Sequence, residues 1–173
     1  MARKKKLNID DLMKDDKAYQ KEAPIKIDNK VTLYYCKKFG QTKIDEVLTE
    51  LADTVNFTLE NNDVEDMDDA SVLMYLNFLI VKHFTNLQEA MVGLDYYQNI
   101  EASVKAYDKG WVNIVIDAMD VLEVSKVYDK FYELVQSADQ IRKMSDKAQQ
   151  ELIETVQSNL LKKKLGGHIG KES

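Results

Sequence analysis

Val72-Leu73-Met74-Tyr75-Leu76-Asn77-Phe78-Leu79-Ile80-Val81-Lys82-His83-Phe84 is the stretch whose reading decides the fold. Apolar residues fill almost every position of this segment, so a helix made from it has no polar face and belongs at the centre of a bundle. Asp68 or Asp69 can cap its amino terminus, where a carboxylate also suits the positive end of the helix dipole. Asn77 interrupts the run and Lys82 and His83 close it, well short of the roughly 20 apolar residues that a bilayer requires.

Working outward, a helix precedes this segment. Thr42 is placed as its N-cap with Asp45 three residues on, and Ile44, Val47, Leu48, Leu51, Val55 and Leu59 line one face at three- and four-residue spacing. Between the two helices, Glu60 to Asp69 carries six acids and no base, which reads as a loop. Downstream, Leu87, Met91, Leu94, Tyr97, Ile100, Val104 and Tyr107 recur at helical spacing, with Gly93 as a kink or break and Asp108-Lys109-Gly110 as the stop. Trp111 to Gln140 reads as one or two helices bearing Ile114, Val115, Met119, Leu122, Tyr128, Phe131, Leu134 and Val135. The β-branched residues in Trp111-Val112-Asn113-Ile114-Val115-Ile116 keep a strand open as the alternative there. Ser145 caps a last helix with Ala148, Leu152, Val156 and Leu160 on one stripe, and Gly166-Gly167 ends it.

The amino-terminal part has a different period. Residues 1–23 are mostly polar and read as a mobile tail; Pro24 then biases Ala23 toward an extended conformation. Ile25 and Ile27, then Asp28-Asn29, then Val31, Leu33 and Tyr35 alternate around a two-residue turn, which predicts a β-hairpin. The fold class expected is therefore mainly α, a bundle of five or six helices with a small amino-terminal hairpin. Its expected organisation is one domain over residues 24–165, between the tail and a flexible end at 166–173.

Composition narrows function. Hydrophobic residues make up 45% of 173 and charged residues 31%, enough apolar material for a core in a chain of this length. Two His and one Cys rule out a zinc site of the usual kind and a disulfide framework, and Cys36 standing alone fits a reducing compartment. The basic start Arg3-Lys4-Lys5-Lys6 is followed by Asn8, Asp10 and Asp11 where a secretory signal needs apolar residues, so a cytoplasmic, non-membrane protein is expected. Net charge is −6, unevenly spread: residues 1–24 carry +2 and residues 160–173 carry +3, which leaves −11 on the body. An acidic body repels a phosphate backbone, so no nucleic-acid partner is expected.

Each candidate site has a plain structural reading beside the functional one. Asn61, Asp63 and Glu65 alternate as in a calcium loop, but Asp66 stands where an EF-hand needs Gly, and a solvated acidic linker is the better reading. His83 reads as a helix-end histidine satisfied by backbone carbonyls rather than a catalytic base. Cys36, near Lys37 and Lys38, has a conceivable lowered thiol pKa but no redox or catalytic signature, and hairpin packing is preferred. Gly166-Gly167-His168-Ile169-Gly170 lacks the Gly-Lys-Ser or Gly-Lys-Thr ending of a phosphate loop. No catalytic, cofactor-binding or metal-ligating residue is assigned. The adjacent pairs Tyr34-Tyr35 and Tyr96-Tyr97 stand out, because neighbouring aromatics cannot both face one core, and at least one of each should be exposed at a partner-binding surface.

The layout resembles the tail assembly chaperones encoded by long-tailed bacteriophages and prophages of Gram-positive hosts. The features shared are the polar Met-Ala-Arg-Lys start, the Ile25 to Phe39 segment leading into the Thr42 helix, and a helical body containing Leu79-Ile80-Val81-Lys82-His83-Phe84-Thr85-Asn86-Leu87. The resemblance covers most of residues 20–140 without a diagnostic motif. It implies a non-catalytic protein without cofactors that binds tape-measure and tail-tube proteins, or itself, in the host cytoplasm and is absent from the virion. Two alternatives stand beside it: a structural subunit of the particle, such as a connector or tail component, and a small helical ligand-binding regulator. The last needs inward polar groups on facing helices, and the 72–84 helix offers Asn77.

Overall fold

The computed structural model describes residues 19–61 and 68–143. Its elements are strands β1 (Glu22–Lys26) and β2 (Thr32–Cys36), followed by helices α1 (Gln41–Asn61), α2 (Asp69–Phe84), α3 (Leu87–Ala90), α4 (Tyr96–Asp108), α5 (Trp111–Ala118) and α6 (Val121–Lys143). Six helices and a two-stranded antiparallel hairpin among the described residues make the protein mainly α, as the periodicity predicts. The expected helix from Ser145, its Gly166-Gly167 stop, the end at 166–173, most of the polar head and the centre of the acidic loop lie outside the described residues.

The hairpin pairs Ile25 with Leu33 and Ala23 with Tyr35, and the alternation sends Ile25, Ile27 and Leu33 inward. Its turn is one residue longer than Asp28-Asn29. Ile27 N–H donates to the Val31 carbonyl at 2.9 Å, and Asp28 Oδ1 accepts from the backbone N–H of Lys30 and Val31 at 2.6 and 2.8 Å. The aspartate side chain thus folds back over Asn29 and Lys30 and fixes a three-residue turn. β1 begins at Glu22, so Glu22 and Ala23 belong to the strand and not to a tail. The outer edge of β2 is closed: Tyr35 bridges Thr85, Asn86 N–H donates to the Tyr34 carbonyl at 3.0 Å, and Asn86 Oδ1 accepts from Tyr34 N–H at 2.9 Å. An edge of this hairpin free to pair would have to be that of β1.

Phe39 leaves the hairpin and stacks on Phe84, ring centroids 3.6 Å apart, which ties the sheet to the end of α2. α1 starts at Gln41, with Ile44 N–H donating to the Gly40 carbonyl, so Thr42 lies within the first turn and is not the cap. Ile44, Val47, Leu48 and Leu51 face inward as read, but the row continues through Thr54 and Thr58 while Leu59 is exposed. At 3.6 residues per turn Thr58 lies about 20° from Leu51 and Leu59 about 80°, so the four-residue steps through Val55 drift off the buried face.

α2 occupies the centre of the unit that ends at Asp129. Asp68 caps it, accepting from Ser71 N–H at 2.7 Å, and Leu76, Phe78, Leu79, Ile80, Val81 and Phe84 are buried between α1, α3, α4 and α5. Asn77 meets the hydroxyl of Tyr128 from α6. Gly93, at φ 84°, breaks the 87–108 pattern into α3 and α4, and Asp95 and Gln98 form a capping box at the restart. α4 turns a face inward that the sequence does not mark: Ser103 is buried, while Tyr97 and Val104 are exposed. Residues 111–118 are helical, not a strand, with Val112, Val115 and Met119 buried at three- and four-residue spacing and Ile114 outside. In α6, Glu123, Val124 and Val127 face inward and Leu122 faces solvent.

Contacts divide the chain at Asp129, inside α6. No change of composition marks that position, because one helix runs through it. In the second unit the described turns carry half-buried Phe131 against Tyr132, with exposed Leu134 and Val135.

Candidate functional site

The densest polar arrangement joins α1, α2 and α4. Glu46 and Glu50 lie one turn apart on α1, and Lys82 and His83 are adjacent in the last turn of α2. Both α2 side chains reach one carboxylate: Lys82 Nζ donates to Glu50 Oε1 at 2.6 Å, and His83 Nε2 lies 2.7 Å from Oε2. A carboxylate only accepts, so Nε2 carries the proton of that contact. Lys82 donates also to Asn99 Oδ1 at 3.0 Å, and Asn99 is oriented by donating to the Asp95 carbonyl at 2.8 Å. Lys43 Nζ donates to the His83 carbonyl at 2.8 Å.

Burial pushes the Glu50 carboxyl up, but the hydrogen bonds from His83 and Lys82 outweigh it and hold the group below the usual carboxylate range. His83 is 5% exposed, and its Nδ1 has no hydrogen-bond partner; Glu46 Oε2 stands 3.9 Å away. The expectation of a histidine satisfied by backbone carbonyls is therefore corrected: Glu50, 33 residues earlier, is its partner. Lys82 and His83 are also inward polar groups of α2 in addition to Asn77, which the reading of that helix missed. Acid–base pairing at the end of an apolar helix has a sequence signal in Lys82-His83 and in the Glu46–Glu50 spacing. Which helices meet does not.

Beside this cluster a cleft of about 240 Å³ is lined by Glu50, Asp53, Thr54, Phe57, Tyr75, Tyr96 and Asn99. Phe57 and Tyr96 stack at a tilt, centroids 4.2 Å apart, and the Tyr96 hydroxyl meets that of Thr58. Burial pushes the Tyr75 phenol up to about 12, against the opposing effect of a Thr54 hydrogen bond.

The two tyrosine pairs split as the packing argument requires. Tyr34 is exposed on β2 and Tyr35 half-buried; Tyr97 is exposed on α4 and Tyr96 half-buried, with Tyr97 edge-on to both Tyr96 and Phe57. The pairs lie at different places, one at the hairpin edge and the other at the start of α4, and do not form one patch by contact. Cys36 is half-buried, and burial pushes its thiol up despite nearby Lys43, which reverses the conceivable lowering. No group of three metal-ligating side chains occurs among the described residues.

A second buried acid holds the hairpin exit. Glu123 of α6 accepts from Lys38 Nζ at 2.7 Å, from Phe39 N–H at 2.9 Å and from Lys126. Burial pushes its carboxyl up, and the three donors overcome that to hold it at about 2.

Fold and site together define a mainly helical protein whose central helix is locked to its neighbours by buried charge and whose outer faces carry aromatic side chains. No helix among the described residues is long and apolar enough to cross a membrane. The chain belongs to the YomO family, whose model matches residues 9–163, and this is a phage- or prophage-associated family. No curated protein and no solved structure matches the chain.

Proposed function

We propose that the protein is a non-catalytic tail assembly chaperone of a phage or prophage, which holds tape-measure and tail-tube proteins in the host cytoplasm until they assemble. The observation that supports this reading is the outward side of α4. Ser103 and Asn99 point into the protein, while Tyr97 and Val104, two turns apart on one side, stand 55% and 53% exposed. Two apolar side chains left on solvent on one side of a helix whose Tyr96, Ile100 and Tyr107 are half-buried suit a partner, and membership of a phage-associated family directs that partner toward other phage proteins. Exposed Tyr34 adds a second aromatic anchor. The −6 net charge favours solubility of the free protein.

Co-expression with a phage tape-measure protein tests the proposal. The client's soluble yield should rise, the two should co-purify, and finished particles should contain none of this chain. Fixed stoichiometry in purified particles by mass spectrometry would replace the chaperone with a structural subunit.

A further inference from the structure

We infer that Pro24 keeps the chain from pairing with a second copy of itself through the outer edge of β1. The parity of the hairpin decides which groups lie on that edge. Ile27 N–H donates to the Val31 carbonyl and Lys37 N–H to the Lys21 carbonyl, so the odd residues of β1 exchange backbone bonds with β2. Glu22, Pro24 and Lys26 therefore turn their backbone groups outward, and all three are exposed. The same alternation on β2 turns Tyr34 outward, and there its N–H and carbonyl do meet Asn86. Asn86 and Thr85 cover the β2 edge, whereas among the described residues no strand covers that of β1.

The β1 edge is self-complementary in everything but its centre. Set antiparallel against a copy about a two-fold axis at residue 24, it places Glu22 opposite Lys26 of the copy and Lys26 opposite Glu22 of the copy. Opposite charges across strands favour such pairing, and each outward residue would exchange two backbone bonds with its mate. Proline has no N–H, so the central pair loses both of its bonds, and two pyrrolidine rings face each other at the axis. The hairpin itself loses nothing, because the N–H missing at Pro24 would point away from β2; at Ala23 or Ile25 a proline would delete a bond to it. An exposed edge with a proline at its midpoint is closed to strand addition, so partners must engage this protein through side chains. The inference does not rest on the chaperone reading.

Sedimentation equilibrium on the full chain tests it. Pro24→Thr restores the central donors and should self-associate about thirty-fold more tightly than the parent, the gain expected of two added hydrogen bonds. In that variant the Glu22 and Lys26 amides should exchange more slowly with solvent as concentration rises, and in the parent they should not. Adding Lys26→Glu to Pro24→Thr sets carboxylate against carboxylate and should return association to the parent's level. Residue 24 is exposed and its nitrogen faces away from β2, so the fold is kept, read from the melting curve, and Pro24→Val is a second strand-forming replacement for the same measurement. If Pro24→Thr and Pro24→Val sediment as the parent does up to millimolar concentration, or if their association persists with Lys26→Glu, the inference is overturned.

Discussion

Glu123 illustrates what one residue does here. It is 2% exposed and receives Lys38, Lys126 and the backbone of Phe39, so a single carboxylate pins the hairpin exit to α6. Its folded pKa of about 2 lies below the value of 4.5 for the free group. The stabilisation this brings is complete above the unfolded value and disappears as pH falls from about 4.5 through about 2, an effect of at most about 3 kcal/mol. Urea midpoints should therefore fall over that window, and Glu123→Gln should flatten much of the slope while leaving the share due to Glu50, which shifts in the same direction. A second residue-scale expectation concerns Glu50. Glu50→Ala leaves Lys82 buried with Asn99 as acceptor but without a countercharge and should cost about 3–5 kcal/mol in urea denaturation, while Asp53→Ala should cost under about 0.5. Neither acid was legible beforehand. The partners of Glu50 and Glu123 lie 32 and 85 positions away in the chain, beyond the reach of local spacing.

Elements were far more legible, and the reason is local. The helices α1 and α2 follow from apolar spacing, and the breaks at Gly93 and Gly110 from positions where φ is positive, 84° and 69°. Gly93→Ala should accordingly cost about 1 kcal/mol, although nothing stands within 4 Å of its added Cβ, because the penalty lies in the backbone. What periodicity could not fix was which edge of each stripe meets the core. On α1 the buried row ends on Thr54 and Thr58, and on α4 it includes Ser103, because the neighbouring helices dictate the contact line. Leu51→Ala and Leu76→Ala, in facing helices at 4% and 0% exposure, should each cost about 2–5 kcal/mol, whereas Leu59→Ala should stay within about 0.5 kcal/mol. Equal costs at Leu51 and Leu59 would mean the face is misplaced. Residues 111–118 show the opposite limit: β-branched content kept a strand open beside the helix, but a helix buries Val112, Val115 and Met119 together, which an alternating strand cannot.

At the scale of the molecule, the proposed chaperone role places stability and partner binding on separate residues. The core runs through α2 and is closed by charge at Glu50 and Glu123, while α4 turns Tyr97 and Val104 away from it. Truncating those outward side chains removes mainly exposed surface together with the edge contacts of Tyr97 to Tyr96 and Phe57, so Tyr97→Ser with Val104→Ser should lower the thermal midpoint by no more than a few degrees. The same double variant should lose most of its co-purification with the tape-measure protein, since aromatic anchors carry a disproportionate part of an interface's energy. Leu76→Ala is the matching control: it weakens the fold and should reduce client binding only in proportion to the protein it unfolds. If the double variant still holds its client while remaining folded, α4 is not the docking face, and exposed Tyr34 on the hairpin becomes the next to change. If it loses both client and stability, the outer face of α4 contributes to the fold in a way its exposure does not indicate, and the separation drawn here between core and partner surface fails.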